Sequence, residues 1–320
     1  MSHQAPHPEI APLTRNSLKP PLYSQEPYFR EAFHDLQDLM GDHTVDTVLR
    51  YGLVVVKPDG CALGATSTVV DFYARHGFEL ADIRPVTFNR SVWRSMWVYQ
   101  MTQASLDRLL VNDLVIDGEA WALLFRSTTD GGLPATVRLS ELKGPARMEN
   151  QTEDCLRRAV GQPNRIFSLV HSADEPADFV RELGILFSQA TRRAVATAMV
   201  SGTLSERGAR LLGEIRHSDE RPRRTFDREA SRKQVVGAIA QRLSDGGVPT
   251  APRELLTRAV DDLESGRVLR VPEFFAALLD AEVRVDSWDL AVAVSETMED
   301  DIPGASKVID NFGAIAWERP

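Results

Sequence analysis

Leu53-Val54-Val55-Val56, followed at once by Lys57-Pro58-Asp59-Gly60, is the stretch that decides the fold of this chain. Four consecutive apolar residues, three of them β-branched and bounded by a turn, are typical of a buried strand. Pro58 cannot continue a strand ladder and Gly60 supplies backbone freedom, so a turn is predicted directly after the strand. Lys57, at the junction of strand and turn, is the first candidate functional residue.

The composition of the 320-residue chain narrows the class of protein. The chain is 43% hydrophobic and 26% charged, which is normal for a globular protein with a core. Its formal net charge of −9 argues against general binding to nucleic acid or acidic membranes.

No run of about 18 apolar residues occurs, so no transmembrane helix is predicted. Residues 1–21 lack the apolar segment of a signal peptide. Cys61 and Cys155 are the only cysteines and form no CxxC motif, which favours a reducing cytoplasm over a disulfide or a cysteine zinc site.

Strand and helix signals alternate between Tyr51 and about residue 190. The pattern predicts strands at 53–56, 78–87, 119–125 and 166–170, and helices at 65–76, after Asn89, at 105–110, 133–142 and 155–160, and after a capping box formed by Ser172 and Glu175. This order suits an α+β fold with a ferredoxin-like βαββαβ core.

The flanking segments differ in character. Residues 1 to about 25 are rich in proline and polar residues and predict a flexible leader, followed by one helix over 26–48. Beyond about residue 190 strand signals nearly vanish, and breaks at Gly or Pro separate helices predicted at 192–200, 205–216, 229–244, 252–265, 271–281 and 287–299. The predicted domains are therefore 1–48, 49–190 and an all-helical 191–320, with the tail 303–320 expected to dock.

A histidine and a glutamate are the strongest candidates for chemistry. His171 lies in the stretch Phe167-Ser168-Leu169-Val170-His171-Ser172-Ala173-Asp174, and Glu182 follows eleven residues later. Phosphoryl transfer requires positive charge around the transferred group and an in-line nucleophile. A histidine nucleophile must be neutral, with one ring nitrogen free and the other held by an acceptor. The chemistry of the residues alone leaves this as one option among several.

The order Lys57-Pro58-Asp59-Gly60, His171-Ser172-Ala173-Asp174 and Glu182 resembles the nucleoside diphosphate kinases over roughly residues 51–190. The resemblance implies that His171 carries a phosphoryl group and that Glu182 holds its ring. It also implies that Mg²⁺ enters with ATP or another nucleoside triphosphate.

The same resemblance assigns the residues around the phosphates. Trp97 falls where the family has a tyrosine, with Tyr99 as a nearby alternative. Arg138 looks like the first phosphate-binding arginine. Arg158, thirteen residues before His171, matches the second, and Arg157 is the alternative by a one-residue slip.

The departures from the family concern the sugar and the base of the nucleotide. Ser168 stands where the family has an asparagine that contacts the ribose, and Ala146 where it has a threonine. The exchange of tyrosine for Trp97 removes a hydroxyl group, and residues 103–110 contain no clear base-stacking aromatic.

Two functions follow as hypotheses. The leading one is a phosphotransferase that moves the γ-phosphoryl of a nucleoside triphosphate through His171 to a nucleoside diphosphate or a related specialised acceptor. The alternative is a catalytically weakened nucleotide-binding regulatory module whose helical region engages a partner protein. A homodimer is expected only from the resemblance, and a cytoplasmic location from the composition.

Overall fold

The structure, a computed structural model, describes residues 9–129 and 132–318. These residues form two compact units. The first comprises the described parts of Met1–Val98, Gly118–Arg223 and Ile309–Pro320, and the second comprises Tyr99–Asp117 and Arg224–Val308. The division into domains 1–48, 49–190 and 191–320 stays a prediction. Within the described ranges no helix is both long and apolar enough to cross a membrane.

The N-terminal part of the first unit is ordered and packed, in contrast to the predicted leader. It contains α1 (Lys19–Tyr23), α2 (Pro27–Met40) and α3 (Thr44–Arg50). Ile10, Leu13 and Tyr23 are almost fully buried, so the prediction of a flexible leader is wrong from residue 10 onward. The predicted helix over 26–48 is interrupted at Gly41, whose φ of +55° does not fit a helix. His3 and His7 lie outside the described residues.

One antiparallel sheet forms the centre of the first unit. Its strands are β1 (Tyr51–Val56), β2 (Phe78–Phe88), β3 (Gly118–Ser127) and β4 (Val170–Ser172), in the spatial order β2-β3-β1-β4. Every residue of β1 is buried, as its continuous apolar run predicts. This strand order and direction confirm the predicted ferredoxin-like α+β fold.

Helices connect these strands along the chain. The connecting helices of the chain are α4 (Pro58–Ala62), α5 (Thr66–Arg75), α6 (Arg90–Met96), α7 (Leu106–Val115), α8 (Ala135–Lys143), α9 (Leu156–Ala159) and α10 (Pro176–Leu186). The predicted turn after β1 is instead one short helix, because Pro58 takes the first helical position, where its missing N–H costs nothing. The predicted cap at Asn89 is confirmed, since its side chain accepts a hydrogen bond from the Val92 N–H at 3.0 Å.

The capping box of α10 lies one turn later than predicted. Glu175 and Asp178 form it, and the expected Ser172 is a strand residue. Because Ser172 still belongs to β4, the helix can begin only after the strand has ended.

From α10 onward, the helices and strands of the described residues are all helices, and residues 295–314 belong to none of them. The remaining helices are α11 (Gln189–Ser201), α12 (Glu206–Asp219), α13 (Arg228–Ser244), α14 (Thr250–Ser265), α15 (Val271–Asp280), α16 (Ser287–Val294) and α17 (Ile315–Glu318). In the second unit α13 packs against α16, α14 against α15, and α7 against both α15 and α16. Of the tail residues predicted to dock, Ile309 is buried, whereas Phe312 and Ile315 are exposed.

Helix α2 crosses α10 at Gly184, where the backbone of Tyr28 leaves no room for a side chain. A Cβ at Gly184 would lie 2.0 Å from the Tyr28 carbonyl oxygen. We predict that Gly184→Ala lowers the free energy of unfolding by at least about 2 kcal/mol, because the two backbones must separate. Gly213→Ala in α12 of the same unit is the control, since its Cβ meets nothing within 4 Å. It should raise stability by about 0.5–1 kcal/mol. Urea unfolding followed by circular dichroism measures both, and equal effects would contradict the prediction.

Candidate active site

His171 and Glu182 form a hydrogen-bonded pair at the centre of the candidate site. His171 lies in β4 opposite Val55 of β1, and Glu182 lies in α10. The His171 Nε2 and Glu182 Oε1 atoms are 2.7 Å apart, and both side chains are largely buried. An ionised carboxylate only accepts, so Nε2 of the neutral ring carries the proton. Nδ1, which makes no hydrogen bond to the residues that the structure describes, therefore presents its lone pair.

Trp97 packs against this imidazole. The two ring centroids are 4.9 Å apart, with an interplanar angle of 81°, which is an edge-to-face arrangement. Trp97 follows α6 directly and is its C-cap residue. The predicted position beside His171 therefore holds Trp97, whereas Tyr99 belongs to the second unit.

Lys57 and Asp59 clamp the chain two residues before His171. The Lys57 N–H donates to the Leu169 carbonyl oxygen at 2.9 Å, and the Leu169 N–H donates to Asp59 Oδ2 at 3.1 Å. Lys57 Nζ lies 3.2 Å from the same carboxylate oxygen, and both side chains are buried. A Cβ on Gly60 would come within 2.5 Å of the Leu169 oxygen, so only glycine permits this approach.

This clamp explains why the last strand is shorter than predicted. Leu169 has a φ of +57°, and the Val170 N–H donates to the Ser168 carbonyl oxygen at 2.6 Å, which closes a three-residue turn. The predicted strand 166–170 is therefore wrong, and β4 begins only at Val170. An apolar run gives no signal for such a turn, because the turn depends on partners more than 100 residues away in the chain.

Lys57 is on the same side of the sheet as His171. Val55 pairs with His171, and side chains alternate along a strand, so the residue two positions after Val55 faces the same way. The structure thus brings together His171, Glu182 and Trp97, and Lys57 faces the same side of the sheet. Ser168, the predicted sugar-side residue, lies in the turn before β4 and is half-buried.

Arg157, and not Arg158, is the arginine directed toward β4. Arg157 is buried, and its guanidinium donates to the carbonyl oxygens of Gly144 at 2.6 Å and Val170 at 3.4 Å. Burial lowers the pKa of Arg157 to about 10. Arg158 is exposed to solvent. Of the two adjacent candidates, Arg157, the alternative to Arg158, is therefore the arginine that points inward.

Arg138 lies at the opposite end of the sheet from His171. Its guanidinium donates to Ser127 Oγ at 2.7 Å and stacks over Phe78, 4.7 Å from the ring centroid. Ser127 pairs with Phe78, whereas the residue of β3 beside Val55 is Ala122, five positions earlier. At roughly 3.3 Å per residue, this separation is about 16 Å. The structure does not bring Arg138 to the candidate site, because α8 directs it to the start of β2.

The sequence did not indicate a cluster around the buried Lys143, which lies behind β4. Lys143 Nζ donates to the Ser172 carbonyl oxygen at 3.1 Å and lies 3.5 Å from Asp174 Oδ1. Ser140 Oγ donates to the same Asp174 oxygen at 2.7 Å. Burial alone would raise the pKa of Asp174, but Lys143 and the Ser140 hydrogen bond hold it at about 2. Burial also lowers the pKa of Lys143. A lysine at the end of an amphipathic helix is normally exposed, so no local signal identifies it.

The remaining predicted position, Ala146, lies in the loop after α8, where its carbonyl oxygen accepts from Gln162 Nε2 at 2.9 Å. Among the described residues, no group of three or more His, Cys, Asp or Glu side chains is arranged to hold a metal ion. Cys61 and Cys155 are both free thiols.

Residues 51–191, which include every side chain of this site, match the family described as nucleoside diphosphate kinase. The chain therefore contains a nucleoside diphosphate kinase domain over this range. No curated protein matches the chain.

Two solved structures are similar to part of the chain. The first is the nucleoside diphosphate kinase of Aquifex aeolicus, with 20% identity and a TM-score of 0.36, covering 43% of this chain and 95% of that one. The second is the nucleoside-diphosphate kinase of Borrelia burgdorferi with bound vanadate and ADP, with 17% identity and a TM-score of 0.33, covering 43% of this chain and 86% of that one.

Asp174 should make the stability of the first unit depend on pH in acid. Its folded pKa of about 2 is below the ordinary value of 3.8, so its stabilising contribution is present above about pH 4 and lost as the pH falls toward 2. We expect the difference in free energy of unfolding between the wild type and Asp174→Asn to shrink over this range. Urea unfolding from pH 6 to pH 2 measures it, and a difference that stays constant would contradict the prediction.

The two neighbouring arginines should differ in their effect on stability. We predict that Arg157→Ala lowers the free energy of unfolding by about 2–3 kcal/mol, because two buried carbonyl groups lose a charged donor. Arg158→Ala, the matched control at an exposed position, should change it by less than about 0.5 kcal/mol. Thermal or urea unfolding of both variants tests this, and a larger loss for Arg158→Ala would reverse the assignment.

Proposed function

We propose that the protein is a nucleotide-dependent phosphotransferase that carries a phosphoryl group on His171. The observation that carries the proposal is the 2.7 Å contact between His171 Nε2 and Glu182, which leaves Nδ1 as the nucleophilic nitrogen. Glu182 holds the ring in this tautomer, and Trp97 limits its rotation from the side. A neutral imidazole in a fixed orientation is the nucleophile that transfer of a phosphoryl group to a histidine requires.

The reaction proceeds in two transfers. In the first, the Nδ1 lone pair forms a bond to the γ-phosphorus while the bond between that phosphorus and the bridging oxygen breaks, and the nucleoside diphosphate leaves with both electrons. The imidazole becomes positively charged, and the Glu182 carboxylate stabilises this charge through the Nε2 proton. In the second, an oxygen of the acceptor attacks the same phosphorus and Nδ1 leaves. The acceptor is a nucleoside diphosphate or a related specialised molecule.

Mg²⁺ enters as part of the nucleotide substrate. It prefers phosphate oxygens and water with few protein ligands, which suits a site without a carboxylate cluster among the described residues. It neutralises charge on the phosphates of the donor.

The protein's own positive charge comes from few groups. Lys57 faces the same side of the sheet as His171, and we assign it to the transferred phosphoryl group. Arg158 is exposed and free to turn toward the outer phosphates, whereas Arg138 has no part in the proposal because of its distance. Ser168 is assigned to the sugar side of the nucleotide, where it has a shorter reach than the family's asparagine.

A second candidate, a nucleotide-binding regulatory module with weak or no turnover, is favoured by one observation. The buried cations nearest β4, Arg157 and Lys143, are bound to backbone carbonyl groups and Asp174. With fewer cations available to the transferred phosphoryl group, the transition state would be stabilised less, and the transfer would be slower. In this alternative the helical region engages a partner protein.

The two functions are separated by a labelling experiment. The purified protein is incubated with γ-labelled ATP and Mg²⁺, and the protein-bound label is tested for lability in acid. We expect acid-labile label on the wild type and none on His171→Ala, because a phosphorylated ring nitrogen hydrolyses in acid. His76→Ala is the control, since His76 ends α5, stacked 4.2 Å from Phe72, and should label normally.

Each result decides between the candidates. Acid-labile label on His171→Ala would contradict the proposal that His171 carries the phosphoryl group. Nucleotide binding without label on the wild type would favour the regulatory module. Loss of label in His76→Ala as well would indicate damage to folding, which circular dichroism of both variants detects.

The homodimer, the protein partner and the cytoplasmic location remain predictions from the sequence. Sedimentation of the purified chain tests the first of these.

A further inference from the structure

Arg181, the residue before Glu182 in α10, is a buried arginine whose guanidinium reaches three partners. It donates to Glu26 Oε2 at 2.6 Å, to the Met96 carbonyl oxygen at 3.1 Å and to the Ser95 carbonyl oxygen at 2.7 Å. Its side chain is 3% exposed. The two carbonyl groups lie at the C-terminal end of α6, where a helix leaves its last acceptors unsatisfied.

These contacts fix both neighbours of the His171 ring. Trp97, which packs edge-to-face on His171, is the next residue after Met96. Glu182, which binds His171 Nε2, is the next residue after Arg181. One guanidinium therefore joins the two residues that directly precede Trp97 to α10, the helix that carries Glu182.

The negative charge that balances Arg181 comes from outside the kinase domain of residues 51–191. Glu26 precedes α2, and its side chain is 16% exposed. Tyr23, also from this segment, places its ring 5.3 Å from the Arg181 guanidinium and donates from its hydroxyl to Asp178 Oδ1 at 2.6 Å.

The same N-terminal segment is bound to the start of α10. Lys19 Nζ lies 2.7 Å from Glu175 Oε2 and 2.6 Å from Asp178 Oδ2, and all three side chains are largely buried. Thr14 Oγ1 donates to Glu175 Oε2 at 2.6 Å. A buried ion pair of this kind adds little net stability but imposes a defined geometry. We call residues 14–26 the N-terminal brace.

We propose that the N-terminal brace, acting through Arg181, positions Glu182 and Trp97 against His171. This role rests on the proposed phosphotransfer for its functional consequence. Arg181 is a positioning residue, because it acts through Met96, which precedes Trp97, and through Glu182, its own neighbour in α10. A small displacement of either neighbour would turn the ring, and misplacement of about 1 Å at a reacting group costs up to about a hundredfold in rate.

Arg181→Lys tests the proposal, because lysine keeps the charge but cannot reach Glu26 and two carbonyl groups at once. Arg192→Lys is the matched control. Arg192 is equally buried in α11, lies 2.6 Å from Asp35 Oδ2 and donates to the Phe187 carbonyl oxygen at 2.9 Å. It has the same kinds of partner and touches neither Trp97 nor Glu182.

Two measurements are made on each full-length variant. Nitrogen-15 NMR of the imidazole determines the tautomer of His171, with His171→Ala used to assign its signals. Single-turnover labelling with γ-labelled ATP and Mg²⁺ gives the rate of phosphohistidine formation. We expect Arg181→Lys to reduce the Nε2-protonated fraction of His171 and to slow labelling by about tenfold to a hundredfold. Arg192→Lys should leave both unchanged.

Equal effects of the two variants, or an unchanged His171 tautomer in Arg181→Lys, would overturn the proposal. If Arg181→Lys does not fold, Glu26→Gln replaces it, with Asp35→Asn as its control, and the same outcomes decide. If the wild type takes up no label, the proposed function fails by itself. The tautomer comparison still decides whether the brace positions the ring.

Discussion

The contact between residues 57–60, at the start of α4, and Leu169 sets the geometry of the candidate site. Leu169 is bound by the Lys57 N–H and the buried Asp59 carboxylate, and it lies so close to Gly60 that a Cβ there would clash. Its φ of +57° costs roughly 1–2 kcal/mol for a residue with a side chain. Such a conformation persists only where its surroundings impose it. Because Leu169 is held in this way, β4 starts at a defined residue, and His171 enters the sheet opposite Val55 on the side that Lys57 faces.

Helix α10 is the second fixed element, and it serves packing and chemistry at once. Its first turn is bound by Lys19, its middle by Glu26 through Arg181, and its face toward α2 approaches so closely that Gly184 is required. Glu182 projects from this helix to His171. A helix held along its length by ion pairs and close backbone contact has little freedom to rotate, so the distance between Glu182 and the imidazole is set by packing remote from the ring.

The positive charges distinguish this site from a generic phosphate site. The arginine that points inward, Arg157, and the buried Lys143 both satisfy the protein's own acceptors. Lys57 is paired with Asp59, which the Leu169 clamp also uses. The positive charges of Arg157, Lys143 and Lys57 thus stabilise the fold, whereas phosphoryl transfer would require positive charge directed at the phosphates. How much positive charge is left for the phosphoryl group distinguishes an active phosphotransferase from a nucleotide-binding module.

Local patterns in the sequence were enough to predict the ferredoxin-like sheet and the helical character beyond residue 190. The sheet follows from the apolar run at Val54–Val56, and the helical region from the loss of strand signals. The pairing of His171 with Glu182 was predicted only from the resemblance to nucleoside diphosphate kinases. Three features follow from long-range contacts that no local pattern reveals: which arginine points inward, where β4 begins, and the burial of Lys143. A shift of one residue in a short helix reverses inside and outside, as Arg157 and Arg158 demonstrate, and Leu169 takes its conformation from partners far away in the chain. The N-terminal segment looked flexible for the same reason, because the acidic residues of α10 that order Lys19 are distant in sequence and adjacent only in space.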